Sequence, residues 1–449
     1  VKLIGSRHVW AVAAIAGIVA GGCASSHPVA SGDGTSGANG GGWIGSAPDF
    51  RRAPESGGSG VVKSGAADRA ALPASAATTA AGGAFDTSRA QGQVSDLKAG
   101  NIDDNADFAG FLSYLQRIGQ EGVPFRPLDP SGRIVVTVTD ANQHAASGVE
   151  VTVKQGDAEI ARLRTTADGT VRFQPHAYGA AEGTFTFSAG SSQATATAGG
   201  TATLVADAPP TTDRVPLDLL FLIDATGSMG DEIARLKTTV ATVVDRIEAL
   251  PGQPDVRIGM TLFRDQGDAF VTATYDFTAD IGAFQTALAA VQADGGGDTP
   301  EALDEGLDEA LAKPSWRPAG TATQLVVLIG DAGGHPDRQL ARPYTKSMVD
   351  AAARGVKILP IAASSSDDQA EVAFRQLAQF TGGRFVFLSY GAEGAALGTS
   401  TDISKADYEE LSLDDLVVRL VADELSARTG QPITVPPAPS TTSTNPPGQ

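Results

Sequence analysis

The chain is expected to fold as a doubly wound, mostly parallel α/β sheet, preceded by a small antiparallel β-sandwich and a flexible tether. Three observations predict this. Between Val215 and Arg428, continuous apolar runs such as PLDLLFLID alternate with amphipathic stretches, the punctuation of βαβ units. From Arg133 to Val205 the apolar period shortens to two, as in RIVVTVTD and GTFTFSA, with turn signals such as Asp168-Gly169 between runs. On either side of these regions the composition turns Gly/Ser/Ala-rich or Pro/Thr-rich and loses its period.

Lys2, Arg7 and His8 precede the apolar run from Val9 to Ala20, and GGCASS follows. Basic, then apolar, then small residues is the layout of a secretory signal, here residues 1–22. An apolar run of about 12 residues is shorter than the roughly 20 a permanent spanning helix needs. AGGC resembles the lipobox of bacterial lipoproteins, although Ala20 stands where Leu is usual. The resemblance implies lipidation of Cys23 and a membrane anchor in the bacterial cell envelope, on the outer membrane if the cell is Gram-negative. Cys23 is the one cysteine, so neither an intramolecular disulfide nor a cysteine zinc site can form.

Residues 23–100 read as a low-complexity tether that buries too little apolar surface to offset chain ordering. Over 101–125, Phe108, Phe111, Leu112, Leu115 and Ile118 recur at helical spacing after a capping Asp107, predicting a short amphipathic helix. Asp103, Asn105 and Asp107 mimic the start of a calcium loop. Phe108 and Tyr114 stand where such a loop needs Gly and Glu, which excludes it. Residues 130–207 hold six or seven short strands, the pattern of an antiparallel sandwich, and resemble the Ig-like and carboxypeptidase-regulatory-like modules of bacterial surface proteins. No polar cluster there suggests chemistry, so a spacer role is expected, with a linker at 206–214. The α/β region occupies 215–428, and a disordered Pro/Thr-rich tail is expected over 429–449.

The net charge of −19 argues against nucleic acid, whose phosphates call for clustered Lys and Arg. It is compatible with a surface that holds cations.

In open α/β sheets, ligands bind beyond the carboxyl ends of the strands. The first long strand of this region ends at Asp224, with Thr226 and Ser228 in the loop behind it. The run LVVLIGD ends at Asp331, and GGGDTPEA places Asp298 and Thr299 before a helix expected from Pro300. Capping alone would explain Asp, Thr and Ser at a helix start. Carboxylates and hydroxyls converging from three segments point further, to hard oxygen ligands for Mg2+, with Mn2+ or Ca2+ as alternatives, rather than zinc.

This constellation resembles the von Willebrand factor A domain and its metal-ion-dependent adhesion site. The resemblance covers roughly residues 216–425. It implies one divalent cation held by Asp224, Thr226, Ser228, Thr299 and Asp331, with Asp298 competing for the place of Thr299. Asp265 and Asp298 are candidates for supporting positions, and Arg264 and Asp268 lie nearby. His335, as a lone loop histidine, reads as solvated. The resemblance further implies a protein partner that presents an acidic residue to the cation. An envelope scaffold in which the metal supports only the fold is the alternative.

An enzyme is not expected. FLIDAT superficially resembles the opening of a haloacid-dehalogenase phosphatase, but Thr226 replaces the second aspartate and removes the general acid, which weakens a Mg2+-dependent hydrolase reading. Phosphate-loop, zincin and serine-hydrolase motifs do not occur, and Ser95-Asp-Leu-Lys98 lacks companion motifs.

Overall fold

The computed structural model describes residues 97–208, 214–297, 299–363, 366–389 and 408–437. The signal, Cys23, most of the expected tether, Asp298 and the end of the tail lie outside the described residues.

The chain opens with strand β1 (Lys98–Ile102) and helix α1 (Phe108–Glu121). Seven short strands follow: β2 (Ile134–Thr139), β3 (Glu150–Gln155), β4 (Ala158–Arg164), β5 (Thr170–Phe173), β6 (Thr184–Ala189), β7 (Ser192–Thr197) and β8 (Thr201–Val205). The α/β region then runs β9 (Pro216–Asp224), α2 (Gly230–Glu248), β10 (Asp255–Phe263), β11 (Thr272–Thr278), α3 (Ile281–Ala289) and α4 (Leu303–Ala312). It continues with β12 (Thr323–Gly330), α5 (Tyr344–Arg354), β13 (Val356–Ala362), α6 (Asp368–Thr381), β14 (Phe385–Ser389), β15 (Leu411–Ser412) and α7 (Leu413–Thr429).

One large sheet has the order β11-β10-β9-β12-β13-β14-β1-β15. The five strands from β10 to β14 are parallel, and β11, β1 and β15 add antiparallel edges. β9 is central and buried on both faces, which is why it reads as one apolar run. Leu217, Leu219, Phe221 and Ile223 join a core with α2, α3 and α7, whereas Leu220 and Leu222 join a second core with α4, α5 and α6. This alternation follows from the two-residue period of a strand. The expected doubly wound sheet is therefore present, and the helix after GGGDTPEA begins at Leu303 rather than Pro300.

Three expectations are corrected. Residues 98–100, read as tether, belong to β1, which pairs with β14 over five residues and reaches β15 at Lys98 and Ala99. The start of the tail, read as disordered, lies on the main core through Ile433 and Val435, and Arg246 donates to the Pro436 carbonyl. In the strand-rich region, β5-β2-β8 and β4-β3-β6-β7 form two sheets around one core, but β2 and β8 run parallel, so the arrangement is not purely antiparallel.

The strand-rich region is also more than a separate spacer. Ala353 of α5 packs against its core, Gln174 donates to Gln379 at 3.0 Å, and Lys357 lies 3.7 Å from Asp168. Helix α1 is capped by Asp107, whose side chain accepts from the Gly110 N–H, and Phe111, Tyr114 and Ile118 pack with Val372 of α6. Just before α1, Asp104 accepts two hydrogen bonds from Arg375, at 2.7 and 3.0 Å.

Candidate metal centre

β9 and β12 are adjacent and parallel, so the residues at their carboxyl ends emerge on one edge of the sheet. Asp224 closes β9, and Asp331 follows the last residue of β12. Asp224 and Thr226 are 0 % exposed and Asp331 is 5 % exposed. Thr226 donates from its backbone N–H (2.9 Å) and its hydroxyl (2.6 Å) to Asp224 Oδ1. The Thr226 and Ser228 hydroxyls lie 3.1 Å apart, and Ser228 donates to Asp331 Oδ1 at 3.1 Å. Two carboxylates and two hydroxyls thus form one chain across the strand ends.

Asp224 Oδ2 is buried and has no hydrogen-bond partner. Burial pushes the Asp224 carboxyl up to about 7; the charge of Asp331 adds to this, and the hydrogen bonds from Thr226 offset only part of it. A bare carboxylate oxygen beside a second acid is costly unless a proton or cation meets it. Among the described residues no three His, Cys, Asp or Glu side chains converge as a metal site. The donors here are two acids completed by hydroxyls, a hard-oxygen set that fits Mg2+ with retained waters.

Of the other expected residues, Thr299 is exposed on the loop before α4 and makes no hydrogen bond to these four. Asp298 lies outside the described residues. Asp265 does not join the chain of oxygens. Its Oδ1 lies 2.9 Å from His335 Nε2 and 3.4 Å from Arg338. Burial works to raise Asp265, but the Gln266 N–H, His335 and Arg338 together hold it below the ordinary carboxylate range. His335 is accordingly buried against Asp265, and the expectation that it is solvated is corrected. Asp268 accepts from the Gly296 N–H at 2.8 Å, and Arg264 donates to the Gln292 carbonyl at 3.0 Å.

Sequence reasoning missed Glu301. It is 2 % exposed, and its backbone N–H donates to the Gly333 carbonyl at 3.0 Å, tying it to the loop behind Asp331. Burial, then the carboxylates of Asp224, Asp265, Asp331 and Asp268, push its side chain up to about 8. The available signal was an acid two residues after Thr299, inside a stretch already rich in site residues.

Residues 218–393 match the family described as von Willebrand factor type A domain. The chain is 29 % identical over 120 residues to alpha-protein kinase vwkA of Dictyostelium discoideum, a match covering 26 % of this chain and 19 % of the kinase. It is 34 % identical over 90 residues to a putative ariadne-like RING finger protein of Acanthamoeba polyphaga mimivirus, covering 20 % of this chain and 9 % of that protein. Among solved structures, it is similar to the conserved hypothetical protein BatB from Bacteroides thetaiotaomicron (14 % identity, 47 % of this chain and 99 % of that one, TM-score 0.33). It is also similar to proximal thread matrix protein 1 of the mussel byssus with a zinc-occupied MIDAS motif (12 % identity, 50 % and 54 % covered, TM-score 0.34). A third similar structure is the pilus adhesin SpaC from Lactobacillus rhamnosus GG in its open conformation (14 % identity, 55 % and 32 % covered, TM-score 0.31). With the family match lying across β9 to β14 and its acids at the strand ends, this chain contains a von Willebrand factor type A domain.

Proposed function

We propose that Asp224, Thr226, Ser228 and Asp331, with Thr299 from the facing loop, hold one divalent cation, Mg2+ in the first instance, and that the domain binds a partner protein through it. The observation that carries this reading is the buried, unpartnered Oδ2 of Asp224 beside Asp331. When bound, the cation supplies a positive charge with a coordination position open to a carboxylate from the partner. The chain's own residues orient the donors. Thr226 fixes Asp224 through Oδ1 and leaves Oδ2 for the ion, and Ser228 ties the first loop to Asp331. A binding role is favoured over a catalytic one because Thr226 occupies the place where a phosphatase of similar opening sequence needs its general acid. With Cys23 as a lipid anchor, the domain would work in adhesion or assembly at a bacterial cell envelope.

The test is a melting scan of the full chain with Mg2+ or EDTA, for wild type and Asp224→Ala. The full chain is used because the large sheet includes β1, which lies N-terminal to the strand-rich region. Mg2+ at about 100 times its Kd stabilises by roughly 2.7 kcal/mol. For a cooperative unit of roughly 300 residues this raises Tm by about 4 °C, and the variant should not respond. No shift in wild type, or an equal shift in the variant, refutes the metal reading. A real shift with partner capture that survives EDTA leaves the cation as a support of the fold alone, in an envelope scaffold.

A further inference from the structure

Lys357 is the one charged residue of β13, a strand buried along its whole length, and it is itself 4 % exposed. Its Nζ donates to Glu424 Oε1 of α7 at 2.6 Å, and Asp168 Oδ2 of the strand-rich region lies 3.7 Å away. A buried ion pair offsets its desolvation only when its remaining lone pairs also find partners. Here they do not: Glu424 Oε2 is buried and accepts no hydrogen bond. Arg428, one turn further along α7, donates instead to the Gly320 carbonyl at 3.1 Å. Burial raises the Glu424 carboxyl, and the charge and hydrogen bond of Lys357 offset only part of this. A lysine and an acid drawn toward its neutral form are thus held in contact in the protein interior.

We propose that Lys357 and Glu424 join as an amide, an internal cross-link from β13 to α7. One ammonium proton passes along the hydrogen bond to Glu424, leaving an amine beside a neutral acid. A 2.6 Å contact to Oε1 puts the nitrogen roughly 3–3.5 Å from the carboxyl carbon at ordinary angles, the separation from which held groups react. Because Oε2 has no partner, the carboxyl can turn about its last torsion and present that carbon without giving up another bond. The nitrogen lone pair attacks the carbon. Asp168 accepts the proton that the nitrogen then sheds and returns it to the hydroxyl, which leaves as water. One C–N bond forms, one C–O bond breaks, and no oxidant or further reactant is consumed. A cavity of about 10 Å³ beside the pair, lined by Lys357, Glu424, Thr323 and Arg428, has room for about one water. Effective concentrations of about 10⁵ M or more between groups held in this way favour the amide over the separated pair. With the bond formed, Asp168 keeps Arg172 and the hydroxyls of Thr166 and Thr170 as partners.

The experiment is tryptic mapping by mass spectrometry of the folded full chain, denatured only for digestion. Cleavage after Lys357 should be lost, and residues 355–375 and 420–428 should appear as one branched peptide, lighter by one water than its two parts. Lys357→Met and Glu424→Leu should release residues 420–428 and its variant counterpart unbranched. Asp168→Asn should slow the bond, so that freshly purified protein is mostly uncross-linked. Wild type, which needs no variant to fold, decides the matter: free cleavage after Lys357 and unbranched peptides overturn the proposal. A branch from Lys357 to Asp168 instead of Glu424 also overturns it, as does the same branch forming in chain kept unfolded in denaturant.

Discussion

Replacing Gly100 by alanine tests whether the strand that precedes α1 is an integral part of the sheet. Gly100 sits opposite Phe387 in the β1–β14 ladder. A Cβ there would lie 2.6 Å from Phe387 Cζ and 2.7 Å from Tyr408 Cε2, well inside the 3.5–4.0 Å at which carbon atoms rest. The two rings already meet edge to face at 4.8 Å, and Phe387 is buried, so it has little room to swing. Over-packing of this kind costs about 1–3 kcal/mol. A cooperative unit of roughly 300 residues has a melting entropy of about 0.6 kcal/mol/K, so Tm should fall by about 2–5 °C. Gly119→Ala in α1 is the control, since a Cβ there meets nothing within 4 Å. Removing a helical glycine stabilises by up to about 1 kcal/mol, for a rise of 1–2 °C. Calorimetry reads both variants, and hydrogen exchange across residues 98–102 should quicken in Gly100→Ala alone. The reasoning is refuted if Gly100→Ala melts at or above wild type, or if a chain beginning at residue 103 melts as wild type does.

Asp168 offers a pH test of the contact between the strand-rich region and the type A domain. Burial works to raise it, but Lys357, Arg172 and the hydroxyls of Thr166 and Thr170 hold its carboxyl far below the ordinary range. A depressed folded pKa contributes stability that is complete above the unfolded value near 4 and is lost as pH falls below it. With its side chain 33 % exposed, the contribution is discounted to about 1 kcal/mol, so Asp168→Asn should melt about 1–2 °C lower at pH 7, and the gap should begin to narrow only as pH falls below about 4. Arg126→Ala strips Asp304, which is fully buried, of its cation at 3.3 Å, and should cost about 3–5 kcal/mol; an unchanged denaturation midpoint would sink that estimate. A fatty-acid probe fed to expressing bacteria should label the wild type and miss Cys23→Ser, and equal labelling of both removes the anchor.

What could be read from the sequence tracks how local its cause is. β9, β12 and β13 are buried on both faces, and burial alone makes them continuous apolar runs. Asp224, Thr226 and Ser228 were legible because they share one strand end, and Asp331 because the strand before it was unmistakable. β1 was not legible: Lys98-Ala-Gly-Asn-Ile102 has no strand pattern of its own, and it becomes a strand because β14 offers an unpaired edge. Ile433 and Val435 alternate within a Pro-rich stretch whose composition concealed them. His335 was misread for a related reason. Its partner Asp265 is far off in the chain, and only the β10-β9-β12 order brings the two loops together.

The same topology shows that the candidate centre depends on residues outside the matched segment 218–393. Arg126, from the stretch between α1 and β2, donates to the carbonyls of His335 (2.6 Å) and Arg338 (2.9 Å), pinning the loop that continues from Asp331. That loop carries Gly333, which holds Glu301, and His335, which holds Asp265. Leu97, the residue before β1, meanwhile accepts through its carbonyl the first N–H of α7, that of Leu413, and α7 packs on α2, the helix that begins at the Asp224 loop. Both chemical edges of the centre are therefore braced by the segment N-terminal to the strand-rich region. A type A domain excised at its family boundaries would keep Asp224, Thr226, Ser228 and Asp331 yet lose what holds their loops at fixed separation. Since a weak donor set gains affinity from being held in place before the ion arrives, the excised domain should bind Mg2+ more weakly than the full chain even where it remains folded.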